Sequence, residues 1–288
     1  GFIEVVRVNM SLLRRRMKTP QLKLELFVKG SKSQTDLCLC YMADRVPKSL
    51  IAQIKARLDE MELESILSSG YLQPFLENRR GCLFDTVGTT QRPDVLCAKL
   101  LEGRVGLLID GTPFALVIPK LFCESFQTMD DYCYRPAYAT LVRWIKYTAF
   151  LVAVLLPALY VAIALHHPEL LNRTLLLILA DAEENAPISL TAEAIGVLLV
   201  YEIIREAGLR LPKAVGGAVS IVAGLIIGDA AVASGLISTP MLTVTAIAVI
   251  AGFVVPDLAQ SITLLRLAFL LIAGFWGLFG ISLLGAAV

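Results

Sequence analysis

Over the first 138 residues, short runs of helical and strand periodicity alternate; beyond them the chain turns to long apolar runs. Ile3, Val6, Met10 and Leu13 recur at the spacing of one helix face. Arg14, Arg15 and Arg16 follow at the end where cations suit the helix dipole, so residues 2–17 are expected to form an amphipathic helix. Residues 22–28 and 36–42 alternate apolar and polar positions across a polar connection at 30–35, the pattern of an antiparallel hairpin. Pro47 opens a second helix, in which Leu50, Ile54, Leu58 and Met61 hold the period to about residue 67. Pro93 opens a third, over 93–101. The stretches VGLLID and PFALVIP, joined through Asp110 and Gly111, then read as a second hairpin. Helices mixed with two hairpins predict an α+β domain over residues 1–138, with the hairpins as its sheet.

Residues 147–165 hold no charge and end at His166, His167 and Pro168. Pro157 lies inside this run, and a membrane helix accepts a proline when a neighbour satisfies the carbonyl it frees. After an acidic connection with Asp181, Glu183 and Glu184, residues 190–204 are apolar but carry Glu193 and Glu202. They read either as a pore-lining or re-entrant helix or as an interfacial one. After Lys213, as far as Ile237, the only charge is Asp229, and the run is long enough to cross a hydrocarbon layer of roughly 30 Å. Gly216, Ser220, Gly224 and Gly228 fall four residues apart there, a ridge of small residues on which a second helix can approach closely. Residues 241–255 and 267–286 complete the apolar segments, and Gly274, Gly277 and Gly280 form a weaker stripe in the last. Basic residues alternate with acidic or uncharged connections: Arg143 and Lys146, then Arg205, Arg210 and Lys213, then Arg266. This predicts about five crossings in an all-α polytopic membrane domain over 139–288, with the first domain cytosolic.

Composition sharpens this division. The chain is 56% hydrophobic with a mean hydropathy of +0.70, and its charges crowd the first half. A net charge of +1 without a basic groove gives no sign of nucleic-acid binding. All six cysteines lie in the first domain without CxxC or Cys/His spacing, as expected of reduced cytosolic thiols. Cys38 and Cys40 share one strand face, the arrangement of core packing. No phosphate loop, catalytic triad, paired-carboxylate site or metal cluster stands out, so neither an enzyme nor a cofactor is expected. The absence of an inverted repeat argues against a secondary transporter. The opening at Gly1, without methionine, is expected of a fragment.

Candidate chemistry therefore lies among the polar groups of the apolar half. Glu193 has no basic neighbour in sequence, which points to a water-filled path or a partner chain. Glu202, Arg205 and Glu206 stand at i, i+3 and i+4, where Arg205 can neutralise a glutamate on one helix face with or without a further role. Asp229, Asp257 and Arg266 fall near expected span ends, within reach of headgroups.

Several motifs, in order, resemble the GerA family of spore germination proteins, the A subunits of germinant receptors and their SpoVAF-type relatives. These are QRPD at 91–94, EGR at 102–104, IDGTP at 109–113, DDYCYR at 130–135, PALYVA at 157–162, HHPELL at 166–171, and the run 202–238 from EIIREAGLRLPKAVGG to ASGLIS. Family members carry further sequence at both ends. The chain departs from their pattern at Gln91, Asn172, Arg173, Glu183, Asn185, Ser189 and Leu198, mostly around the second membrane segment. Those departures alter charge near a possible permeation path and raise the case for a SpoVAF-like accessory role. The resemblance implies a spore inner-membrane protein that oligomerises into a ring passing monovalent cations, beside a transporter-like B subunit and a lipoprotein C subunit. The alternative it leaves open is a non-conducting scaffold that assembles germination partners through its cytosolic domain.

Overall fold

The computed structural model describes residues 1–77, 82–174, 176–177, 180, 188–212, 222, 224–226 and 228–287. The chain divides into two compact units, Gly1–Cys133 and Tyr134–Val288.

The first unit is α+β. Helix α1 spans Val6–Arg16, followed by strands β1 (Leu22–Lys29) and β2 (Thr35–Met42), then helices α2 (Lys48–Asp59) and the single turn α3 (Gln73–Leu76). Strand β3 (Gly88–Thr90), helix α4 (Pro93–Leu101) and strands β4 (Val105–Ile109) and β5 (Ala115–Ile118) complete it. The five strands form one antiparallel sheet in the order β1-β2-β4-β5-β3. Successive side chains of its inner strands serve opposite cores. Leu37, Leu39, Leu107 and Leu116 face Ile54 and Leu58 of α2, whereas Cys38, Cys40, Leu108 and Val117 face Val6 and Leu13 of α1 and Leu96 and Leu100 of α4. Both faces are covered, which is why these strands are apolar throughout; each fully buried Leu or Ile is worth about 1.5–3 kcal/mol. Cys38 and Cys40 are fully buried, in keeping with their strand spacing.

Both expected hairpins form. The Asp110–Gly111 turn also holds α1: Asp110 Oδ1 accepts the Val6 amide at 2.9 Å, an orphan donor of the first helical turn, and the Gly111 amide donates to the Glu4 carbonyl at 2.8 Å. Gly111 has φ +82°, open to glycine without a steric cost.

Three elements depart from the sequence reading. Helix α1 starts at Val6 instead of Phe2, and Ile3, expected on its apolar face, lies outside it and is exposed. Helix α2 stops at Asp59 instead of continuing to about residue 67, because the chain beyond it runs beside the β1–β2 connection. There the Leu63 and Glu64 carbonyls accept the amides of Ser31 and Lys32 at 3.1 and 2.8 Å. Met61 and Ile66 still enter the core, which explains why the helical period seemed to persist. Strand β3, only three residues of Gly-Thr-Thr, carries no apolar alternation to betray it.

The second unit is helical: α5 (Pro136–His166), α6 (Leu190–Arg210), α7 (Thr239–Gly252) and α8 (Ala259–Ala287). Among the described residues, Pro136–His166 and Pro256–Ala287 are long and apolar enough to cross a membrane. Helix α7, at 14 residues, is about 21 Å long, shorter than a hydrocarbon core. Helix α5 packs against α7 and α8. It does so through Ala149, Ala153, Pro157 and Val161, a buried four-residue spacing of mainly small side chains that lets backbones come close. In α8, Gly277 breaks the helix with φ +58°. A Cβ there would stand 3.0 Å from His166 Cβ, and one on Gly274 would stand 2.6 Å from Thr191 Cγ2. A Cβ on Gly280 would stand 2.5 Å from Ile272 Cγ2, so all three glycines of the last segment are used for contacts inside the chain.

Candidate functional site: polar groups of the helical unit

Helix α6 carries four of the candidate side chains, Glu193, Glu202, Arg205 and Glu206, and parts the first from the rest. Glu193 and Glu202 are nine residues apart, half a turn out of phase, so they serve opposite faces. Glu193 is only 2% exposed, and its Oε1 accepts both the backbone amide of Ser238 at 2.6 Å and its hydroxyl at 2.7 Å. Ser238 immediately precedes α7, so the carboxylate sits at the positive end of that helix and meets two donors. A buried carboxylate without such partners would cost several kcal/mol. The group that has no basic neighbour in sequence thus has a non-basic partner 45 residues away.

On the opposite face, Glu202 Oε2 lies 2.7 Å from Arg205 Nη2. The Thr263 hydroxyl of α8 donates to Glu202 Oε1 at 2.9 Å and lies 3.4 Å from Arg205 Nη1. The i, i+3 pair read from the sequence is present, and Thr263, which nothing in the sequence singled out, ties it to α8. Beyond it, Glu206 and Arg210 form a separate exposed pair at 2.7 Å.

Arg266 differs from its sequence reading. It was expected near a span end, as one of the flanking cations that orient the chain, but it is 4% exposed inside the helical unit. Its Nε donates to the Ala153 carbonyl at 2.7 Å and its Nη2 to the Ala248 carbonyl at 3.3 Å. Ala153 stands four residues before Pro157, so its carbonyl is the one that the missing proline N–H leaves without a helical donor. The neighbour that satisfies the proline is this arginine. A Cβ on Gly252 would stand 3.4 Å from Nη2, so the last residue of α7 leaves room for the guanidinium.

The remaining candidates stay apart from these groups. Asp229 is exposed. Gly224 has no atom within 4 Å of where a Cβ would stand, and Gly228 has only Leu242 Cδ2, at 4.0 Å. Gly216 and Ser220, and the acidic Asp181, Glu183 and Glu184, lie outside the described residues. Among the described residues no three His, Cys, Asp or Glu side chains converge as a metal site would require.

In the first unit the motif residues act as joints. Arg92 bonds Asp94 at 2.8 Å and Asp130 at 3.3 Å, tying QRPD to DDYCYR, and it holds the Asp94 carboxyl below the usual carboxylate range. Arg104 of EGR bonds Glu124 and the Pro119 carbonyl, and Gly103, at φ +85°, lets the chain pass the Arg45 carbonyl.

The model of the Bacillus/Clostridium GerA spore germination proteins matches residues 1–288. The chain belongs to the GerA family. It is 39% identical over 285 residues to spore germination protein KA of Bacillus subtilis, covering 98% of this chain and 52% of that protein. It is equally similar, at 39% over 285 residues, to the uncharacterized membrane protein YfkQ of the same organism, covering 98% and 56%. With GerLA of Bacillus cereus it shares 34% over 285 residues, covering 98% and 58%. This GerA-family chain thus spans a little over half the length of these relatives. A solved structure, the N-terminal domain of the A subunit of the Bacillus megaterium spore germinant receptor GerK3, matches at 39% identity. It covers 42% of this chain and 96% of that one, with a TM-score of 0.35.

Proposed function

We propose that this chain is the core of a membrane subunit of a spore germination receptor, and that copies of it assemble into a channel passing monovalent cations when germination is triggered. Family membership supports the role in germination, and the two long apolar helices support residence in a membrane. In this reading the protein sits in the spore inner membrane with about five membrane segments, its α+β unit in the cytosol, lipid around it, and B-type transporter-like and C-type lipoprotein subunits beside it. The observation that carries self-association is the described half of the glycine ridge: among the described residues nothing stands within 4 Å over Gly224, and Gly228 meets one atom at the limit of contact. A face built for close helix approach and left bare by the described residues is suited to another copy.

Flux and assembly together test this. Purified protein in liposomes should carry a monovalent-cation flux, and Gly224→Leu with Gly228→Leu should abolish both its self-association by cross-linking and the flux. Retained assembly and flux in that variant defeats the proposal.

One observation favours a second reading, a non-conducting accessory or scaffold. Glu193 and Arg266, the two deeply buried ionisable groups of the described helical unit, are both spent on bonds within the chain. If wild-type protein assembles with germination partners but passes no ions, the scaffold reading stands. On the channel reading Glu202→Gln, not Glu193→Gln, should change the relative permeability of sodium and potassium.

A further inference from the structure

Helices α6 and α7 with Gly224, Gly228, Ala231 and Ile237 line an open-mouthed cavity of about 630 Å³, within the roughly 300–1,000 Å³ that small-molecule pockets span. Its walls are apolar, with Leu209, Val249 and Phe253 among them. Three polar side chains, Tyr201, Arg205 and Thr245, interrupt them. Thr245 lines the cavity, is 2% exposed, and its Oγ1 has no hydrogen-bond partner; Arg205 also lines it, and its Nε is buried without an acceptor. A buried hydroxyl and a buried guanidinium N–H left unpaired are each costly, so both call for an acceptor that the described residues do not provide.

The local charge narrows the choice of acceptor. Glu202 neutralises Arg205, and Glu206 with Arg210 cancels itself, but Arg266 meets only carbonyls, close behind the Gly252–Phe253 end of α7. The groups named on α6 and α8 sum to one positive charge, and Asp229, which follows the lining residue Gly228, is exposed. An apolar chamber with two unpaired donors beside a net positive charge suits a hydrocarbon chain with an anionic head.

We propose that this cavity binds the acyl chain of an anionic amphiphile whose oxygen atoms accept hydrogen bonds from Arg205 Nε and Thr245 Oγ1. The head is a carboxylate or a phosphate ester, and the source is either a free fatty acid or a bilayer phospholipid. Gly224 and Gly228 also line this cavity, so the assignment is an alternative to a second copy packed on that ridge and stands apart from ion conduction itself.

Purified protein in detergent, irradiated with palmitic acid carrying a terminal diazirine, tests it. Peptide mapping should place the adducts within residues 197–209 and 242–253. Excess palmitate should reduce labelling at least fivefold and hexadecane, which has no head, less than twofold. Displacement by phosphatidylglycerol at lower concentration than by palmitate identifies the source as bilayer lipid; displacement by palmitate alone identifies a free fatty acid. Val249→Trp, which fills the chamber, should cut labelling at least fivefold. The nearly isosteric Thr245→Val should keep the adducts in place while shrinking the advantage of palmitate over hexadecane, and Thr245→Ser should restore it. Adducts mapping elsewhere, labelling indifferent to both Val249→Trp and Thr245→Val, or cross-links showing a second copy's helix seated between α6 and α7 would overturn the assignment.

Discussion

Arg266 shows how one residue decides the packing of three helices. Its guanidinium stands between the carbonyl of Ala153 on α5 and that of Ala248 on α7, with its own backbone on α8. Replacing it by Met leaves the Ala153 carbonyl without a donor and should cost about 2–3 kcal/mol, read as a lower midpoint of thermal unfolding in detergent. Pro157→Ala supplies the missing N–H, so the loss from Arg266→Met should be smaller in that background, with a coupling of roughly 0.5–3 kcal/mol. Simple additivity would mean that the arginine is there for another reason. In the first unit, the Tyr41 hydroxyl lies 2.5 Å from Glu25 Oε1, and Lys55 Nζ lies 2.5 Å from Oε2. Lys55 and then Tyr41 hold the Glu25 carboxyl below its usual range, and Glu25 pushes the Tyr41 phenol up to about 12. A depressed carboxyl adds stability that is present above its unfolded pKa and lost as pH falls through the lower folded value. The raised phenol adds stability that is present below its unfolded pKa of about 10 and lost as pH rises towards 12. Stability of this unit should therefore plateau between about pH 5 and 10. Glu25→Gln should flatten the acid limb and, by removing the carboxylate beside the phenol, bring the absorbance titration of Tyr41 down towards pH 10.

At the scale of elements, glycines that look alike in sequence have opposite sensitivities. Gly277 holds φ +58° against His166, and a Cβ on Gly274 would run into Thr191, so Gly277→Ala and Gly274→Ala should each destabilise by about 1–3 kcal/mol. Gly224→Ala meets nothing within 4 Å and should be neutral or up to about 1 kcal/mol stabilising within one chain, from helix propensity alone. Thermal unfolding of the three variants checks the order. The sequence made both stripes visible but could not rank them for contacts inside the chain, because spacing shows where a small face lies and not what stands opposite. The stripe that α5 buries, Ala149, Ala153, Pro157 and Val161, escaped notice since alanine and valine are ordinary in any apolar run. Strand and helix positions in the first unit were legible wherever one face was apolar and the other polar or served a second core. Legibility failed at β3, which is too short and too polar, and past Asp59, where Met61 keeps the helical spacing and Ile66 still reaches the core while the backbone of Leu63, Glu64 and Ile66 bonds the neighbouring loop. In the candidate site the pair Glu202–Arg205 could be read because it is local. Glu193 with Ser238, and Arg266 with Ala153, span 45 and 113 residues and left no local signal.

At the scale of the whole molecule, the first unit closes its two cores on itself, one on each face of the sheet, and its cysteines record that closure. Cys38, Cys40 and Cys97 are buried, whereas Cys82, Cys123 and Cys133 are exposed. Burial among apolar neighbours raises the Cys40 thiol well above its usual range and raises Cys97 as well, so neither forms much of the thiolate that reacts. Native protein should therefore show two kinetic classes toward a thiol reagent near pH 8: Cys82, Cys123 and Cys133 modified promptly, Cys38, Cys40 and Cys97 only as the sheet opens. Because the second unit holds no cysteine, the slow class reports the first unit alone. Its rate should rise with denaturant along the unfolding transition of the sheet, independently of whether detergent or lipid surrounds the helices. Prompt modification of all six thiols in native protein would show that the α1–α4 face of the sheet is not the closed core that the structure describes.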